Sequence, residues 1–145
     1  MAVVKGNRQE GKLEVITKCR ILCAYTIQVC RSEKIFPKKN RWLLTQKIVN
    51  EALESMTCLR IANSVRVQVR SDYDFRRAKQ IEAYGHLEAL LTLIDLAYEA
   101  LSIETARIEN WTKAVLETEG LLQRWRKADR GYYRDIIKLD DIPDE

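Results

Sequence analysis

Glycine and proline are scarce in this chain, at five and two among 145 residues. A fold of many short strands needs frequent turns, and these residues make them, so an all-β architecture is excluded. Histidine is scarcer still. His86 stands alone, which removes HExxH metal sites and acid–base schemes that use two imidazoles. It follows Gly85 within a helical pattern, where a satisfied boundary histidine is the ordinary reading. Arg76 and Arg77 precede it by ten and nine positions, too far for the Arg–His pairing that some all-α nucleases carry on one helix. Neither common glycine-rich phosphate loop occurs. Glu117 and Glu119, two residues apart, point to different sides of a helix and make no acid pair. The expectation is a protein that is not an enzyme, with no metal, no cofactor and no small-molecule substrate.

Other absences narrow the setting. Cys19, Cys23, Cys30 and Cys58 lie inside helical patterns and form no CxxC pair. They read as buried reduced thiols rather than a disulfide framework or a zinc site. The start, MAVVKGNRQEG, lacks an apolar signal core, and no apolar run reaches the length of a membrane span. A cytoplasmic protein with no membrane partner is expected.

What is present points to helices. The chain is 46% hydrophobic and 32% charged, and Leu, Ala, Glu, Lys and Arg recur at helical spacing. That suits one all-α domain over residues 1–145, an antiparallel up-down four-helix bundle with loose ends at residues 1–11 and 135–145. The first pattern covers residues 12–33, with Ile16, Cys19, Cys23, Ile27 and Cys30 on one face. Asn40 is placed to cap a second helix to residue 63, with Leu44, Ile48, Ala52, Ser55 and Leu59 along one side. Residues 65–70, VRVQVR, alternate with a strand period and read as an extended connector, edge pairing being the alternative.

Ser71 with Asp74 predicts a capping box for a third helix. Its second half, LEALLTLIDLAYEAL, has only Glu88, Thr92, Asp95 and Glu99 as polar residues, in one narrow stripe. Leu93 and Leu96 lie off the Leu87, Leu90, Ile94, Ala97 face. Burying each stabilises by about 1.5 to 3 kcal/mol, and the expected sink is another subunit, which makes Leu93 and Leu96 the expected contact between copies; coverage by helices of the same chain is the alternative. Ser102 is placed to cap a fourth helix that carries Ile103, Arg107, Trp111, Ala114, Val115, Thr118, Leu121, Leu122 and Trp125, with Gly131 at its C′ position. The end, KLDDIPDE, reads as a fraying acidic tail.

Charge is divided unevenly. Residues 1–79 carry 17 Lys and Arg against 7 Asp and Glu, and residues 80–145 carry 8 against 14, a balance of +10 beside −6. In IFPKKNRW, Lys38, Lys39 and Arg41 open a helix where the dipole is already positive, at a cost on the order of 0.3 to 1 kcal/mol per charge. An arriving anion would offset it. Lys34, Lys38, Lys39, Arg41 and Lys47 surround this start, Arg60, Arg66 and Arg70 follow the second helix, and Arg76, Arg77 and Lys79 open the third. Together they predict a cationic flank fit for a polyanion, although a solvated surface has the same composition. Trp42 reads as packing at the bundle end, with base stacking as the alternative. Arg124, Arg126, Lys127 and Arg130 read as complements to the dipole of the fourth helix.

The segment EKIFPKKNRWLLTQKIVNEAL, the ANSV after it and the run IENWTKAVLETEGLLQRWRKADRGYY resemble small bacterial four-helix bundle proteins. That family includes the accessory variability proteins of diversity-generating retroelements and the proteins encoded in ribosomal-RNA intervening sequences. The similarity covers residues 12–134, through an aromatic-Pro-Lys turn before the second helix and a Trp-rich basic end to the fourth. It implies a homopentameric ring without catalysis of its own, which in the retroelements binds a reverse transcriptase and template RNA and supports mutagenic complementary-DNA synthesis. The family has no catalytic residues to carry over. The other functional class is a structural or regulatory protein-interaction module whose cations are only surface.

Overall fold

The computed structural model describes residues 7–138, with side chains from residue 14. Four long helices carry the chain: α1 over Asn7–Cys30, α2 over Gln46–Ser64, α3 over Arg70–Ala100 and α4 over Thr105–Tyr132, followed by the single turn α5 over Arg134–Ile137. Among the described residues there is no strand, and no helix is long and apolar enough to cross a membrane. Each long helix packs against two others, α1 on α2 and α4, and α3 on α2 and α4. The result is an all-α bundle around one core.

Helix starts differ most from expectation. α1 begins at Asn7, so part of the expected loose end is helical, while residues 139–145, where the acidic tail falls, lie outside the described residues. Ile27 is 40% exposed, and Val15, Leu22, Thr26 and Val29 are inside instead. Two helices cover α1, and the stripe that faces both runs 15, 19, 22, 26, 29, centred about 120° around the helix from position 27. Asn40 does not cap α2: it ends a 3₁₀ turn over Lys38–Asn40 that continues through a π turn over Arg41–Thr45 into the helix. The connector after α2 is extended at Val65 and Val69. α3 starts at Arg70, where Asp72 Oδ2 accepts the backbone N–H groups of Gln68 (3.0 Å) and Val69 (3.1 Å). Asp74, expected in the cap, pairs with Arg70 at 3.1 Å. Ser102 lies in the loop before α4, whose N-cap is Glu104, and Gly131 is inside α4 with no positive φ.

Inside, the face read on α3 is the buried one: Leu87, Leu90, Ile94 and Ala97 have no exposed surface. Leu91 and Leu93 are half-buried against the core of their own chain, whereas Leu96 is 48% exposed. Neighbouring helices therefore cover most of the apolar surplus of α3. On α4, Trp111 is fully buried and its Nε1–H donates to Thr26 Oγ1 of α1 at 3.0 Å. Tyr25 and Phe36 meet its ring edge-on, with centroids 6.3 and 6.2 Å away.

The other end is held by an ion pair. Arg76 of α3, expected on the cationic flank, is 1% exposed and is not a surface residue. Its Nε and Nη2 donate to the two oxygens of Asp129 on α4, at 2.6 and 3.0 Å. Gln80 Nε2 donates to the same carboxylate at 2.9 Å, and the guanidinium lies 5.0 Å from the Trp125 ring centroid. Removing one member leaves a buried charge with no counter-ion, so Asp129→Ala should destabilise by about 3 to 5 kcal/mol in denaturant titration. The double variant Arg76→Met/Asp129→Leu should lose much less. Equal losses would show that the pair is not the dominant contribution at this end.

Candidate nucleic-acid interface

The turn between α1 and α2 is anchored by one aromatic residue. Phe36, 3% exposed, is packed on Trp111, and its backbone N–H donates to Ser32 O at 2.7 Å. Pro37 then sets the chain for the 3₁₀ turn, closed by Asn40 N–H to Pro37 O at 3.0 Å. The wider π turn that follows puts Trp42 and Leu43 in solvent, 72% and 74% exposed. The expectation that Trp42 packs at the bundle end is thereby corrected. Packing here is done by Phe36 and the half-buried Leu44.

Lys34, Lys38, Lys39, Arg41 and Lys47 are all exposed around this turn. Lys38 approaches Glu33 at 3.9 Å with both side chains about two-thirds exposed, a contact worth little in water. Beside them lies an open cavity of about 630 Å³ with Ile35, Leu43, Leu44 and Leu101 as its apolar wall and Lys34 and Lys39 at its edge. A planar apolar group with a phosphate attached suits such a surface, because every nucleobase offers a face for stacking and every phosphate a charge.

The remaining expected cations are elsewhere. Arg60 and Arg66 are exposed, Arg70 is tied to Asp74 and to Ile137 O (3.2 Å), and Arg77 donates to Tyr73 Oη at 3.0 Å. From Arg77 to the end of α3 is about 35 Å at 1.5 Å per residue, so the expected continuous flank divides into two basic ends. At the far end sequence reasoning missed a cleft of about 350 Å³ between α3 and α4, lined by Arg77, Gln123, Arg126, Lys127 and Arg130. The signal was present in the sequence as cations at 126, 127 and 130, but it required Arg77 to be opposite them.

Two acidic features complete the surface. His86 Nδ1 and Glu51 Oε1 are 2.6 Å apart between α3 and α2, a half-buried satisfied pair as the lone histidine suggested. Glu117 and Glu119 do face apart: Glu117 is exposed near Lys18 (3.7 Å), while Glu119 is 6% exposed. Burial pushes the Glu119 carboxyl up to about 8, with Glu88 across the seam adding to it. Among the described residues no group of three or more His, Cys, Asp or Glu is placed to hold a metal ion. Comparison with protein-family models, curated proteins and solved structures finds no match.

Glu119 carries a pH signature. Its folded value near 8 exceeds the ordinary 4.5, so between those values the folded state holds more protons than the unfolded one. Stability should fall as pH rises through that window, by up to about 1.4 kcal/mol per pH unit for one proton, and level off above it. Glu119→Gln should flatten this slope in denaturant titrations across the window; an unchanged slope would assign the effect to other groups.

Proposed function

We propose that the chain is a non-catalytic accessory protein that binds single-stranded RNA, and complementary DNA copied from it, through the turn over residues 38–45. One observation carries this reading: Trp42, 72% exposed, has five exposed cations within eight residues of it along the chain, on a turn anchored by the buried Phe36. An exposed tryptophan in a cationic surround offers both components of sequence-tolerant single-strand binding, stacking and phosphate contact. The resemblance to accessory variability proteins supports the rest of the reading, in which the protein holds template RNA beside the reverse transcriptase of a diversity-generating retroelement.

In the same reading the four helices run alternately up and down and copies of the chain assemble, as a pentameric ring by resemblance. Leu96 and Tyr98, 48% and 41% exposed near the end of α3, support a contact between copies, with Leu93 beneath. Leu96→Glu should then lower the mass measured by light scattering while helicity is unchanged; a single protomer in the unsubstituted protein would overturn the assembly.

For RNA, affinity should fall steeply with salt, with a log–log slope of about −0.7 per phosphate contacted. Reversing Lys38, Lys39 and Arg41 to Glu should weaken binding at least about tenfold, and Trp42→Ala by about 1 to 3 kcal/mol, without loss of fold since none of these side chains is buried. A flat salt response with unchanged affinity in both variants would reject the turn as the site and return the protein-interaction reading.

A further inference from the structure

A cavity of about 530 Å³ opens in the groove between α2 and α3, lined by Lys47, Asn50 and Glu51 from one helix and Ala89, Thr92 and Leu93 from the other. Each triplet is spaced i, i+3, i+4, so each presents one helix face to the groove. The two faces differ in chemistry. On α3, Leu93 is half-buried against the core and Ala89, one turn before it, has only a methyl group to fill the space, which makes a low apolar wall. On α2 the groups are polar and have bonds still to make. Lys47 and Asn50 are exposed, and among the described residues neither side chain has an ion-pair or hydrogen-bond partner, although Glu51 is one turn beyond Lys47. Glu51 is different. Its carboxylate is half-buried and fixed, with Oε1 2.6 Å from His86 Nδ1. A carboxylate has no hydrogen to give, so Nδ1 carries the one in this bond. The second oxygen is left as an acceptor held in place, at the same groove as an amide that can donate.

We infer that this groove receives one nucleobase of the strand held by the Trp42 turn and selects adenine or cytosine over uracil there. The inference rests on the proposed binding of single strands, and Lys47 links the two surfaces, being one of the cations around the turn and part of the groove. Stacking on Trp42 is tolerant of sequence, whereas polar groups that meet the edge of an unstacked base are not. On its pairing edge, adenine or cytosine carries an amino N–H beside a ring nitrogen that accepts; uracil carries a carbonyl oxygen beside a ring N–H. The Glu51 oxygen accepts from the amino group, and the Asn50 amide donates to the ring nitrogen. Ala89 and Leu93 lie against the face of the ring, and Lys47 meets the phosphate. Uracil would set its carbonyl oxygen against the carboxylate, leaving two acceptors without a hydrogen between them.

Fluorescence anisotropy of the full chain with labelled cytidine-only and uridine-only RNA of equal length, at one salt concentration, tests this. The cytidine strand should bind at least about fivefold more tightly. Asn50→Ala, at an exposed position, should bring the two affinities within about twofold of each other. Glu51→Gln should reverse the preference: its Oε1 accepts from His86 as before, and its amide then donates where the carboxylate accepted, which suits the uracil carbonyl. Trp42→Ala should weaken both strands by the same factor and leave their ratio unchanged, so failure of the groove is separable from failure of the turn. Equal affinities for the two strands, both still dependent on Trp42, overturn the groove and leave the turn standing, whereas no binding of either strand overturns both. A preference for cytidine that survives both Asn50→Ala and Glu51→Gln also overturns the groove. Saturable binding of free cytidine monophosphate, lost in Asn50→Ala, would give the site to a free nucleotide and overturn its place on the strand.

Discussion

The Arg76–Asp129 pair sets the geometry of one whole end of the molecule. Both side chains are buried, and withdrawing two charges from water costs several kcal/mol per ion before the contact recovers any of it. The recovery depends on geometry: two guanidinium–carboxylate bonds, a third bond from Gln80, and the Trp125 ring beneath the cation. Arg76 Nη1 also reaches Ala62 O of α2 at 3.4 Å, so three helices meet at one group. A contact this directional fixes register more than it adds stability, since a slip of one residue would leave both charges buried and unmatched. Its neighbours follow from it. Arg77 is the next residue on α3, about 100° around the helix, and Arg126 and Arg130 lie three before and one after Asp129 on α4. The clamp therefore determines that these arginines converge on one cleft.

Trp111 has the corresponding role at the opposite end, by apolar means. Its indole N–H is satisfied by Thr26, and Phe36 and Tyr25 pack edge-on against the ring. Phe36 belongs to the loop, so the core of the bundle extends to within two residues of Lys38. That link holds a cationic turn in a defined shape although most of its own side chains are in solvent. Phe36 occupies the interior position beside Trp111, while Trp42 stands in solvent on the turn that follows.

How far the sequence could be read follows the range of the forces involved. Apolar periodicity is local, and it gave the helical class and the buried faces of α3 and α4 correctly, down to Leu87, Leu90, Ile94, Ala97 and Trp111. The buried face of α1 was misjudged at Ile27 because its position depends on two neighbours at once. Caps were misjudged: Asp72 takes the backbone N–H groups that Ser71 and Asp74 were expected to serve, and the N-cap of α4 is Glu104, two residues beyond Ser102, with no side-chain capping bond. Arg76 was out of reach in a different way. An arginine is a surface residue unless a carboxylate meets it, and Asp129 lies 53 positions away with nothing local to announce the pairing. The same non-local contact hid the cleft: Arg77 was read as part of a long flank and the α4 cations as complements to the helix dipole, with nothing local to bring the two groups together.

The seam between α3 and α4 has a direction. At one part Glu119 is buried beside Glu88, and burial with that neighbour keeps its carboxyl protonated near neutral pH. Further along, Tyr84 is influenced from both sides: burial and the charges of Glu119 and Glu88 raise its hydroxyl, while Arg126 lowers it. Beyond it are the cations of the cleft. A protonated Glu119 withholds one negative charge from this line of groups. The acidic balance of the second half of the chain and its basic cleft are thus compatible. Carboxylates on the outer faces are screened by water, whereas Glu119, set into the seam, is held largely neutral near pH 7.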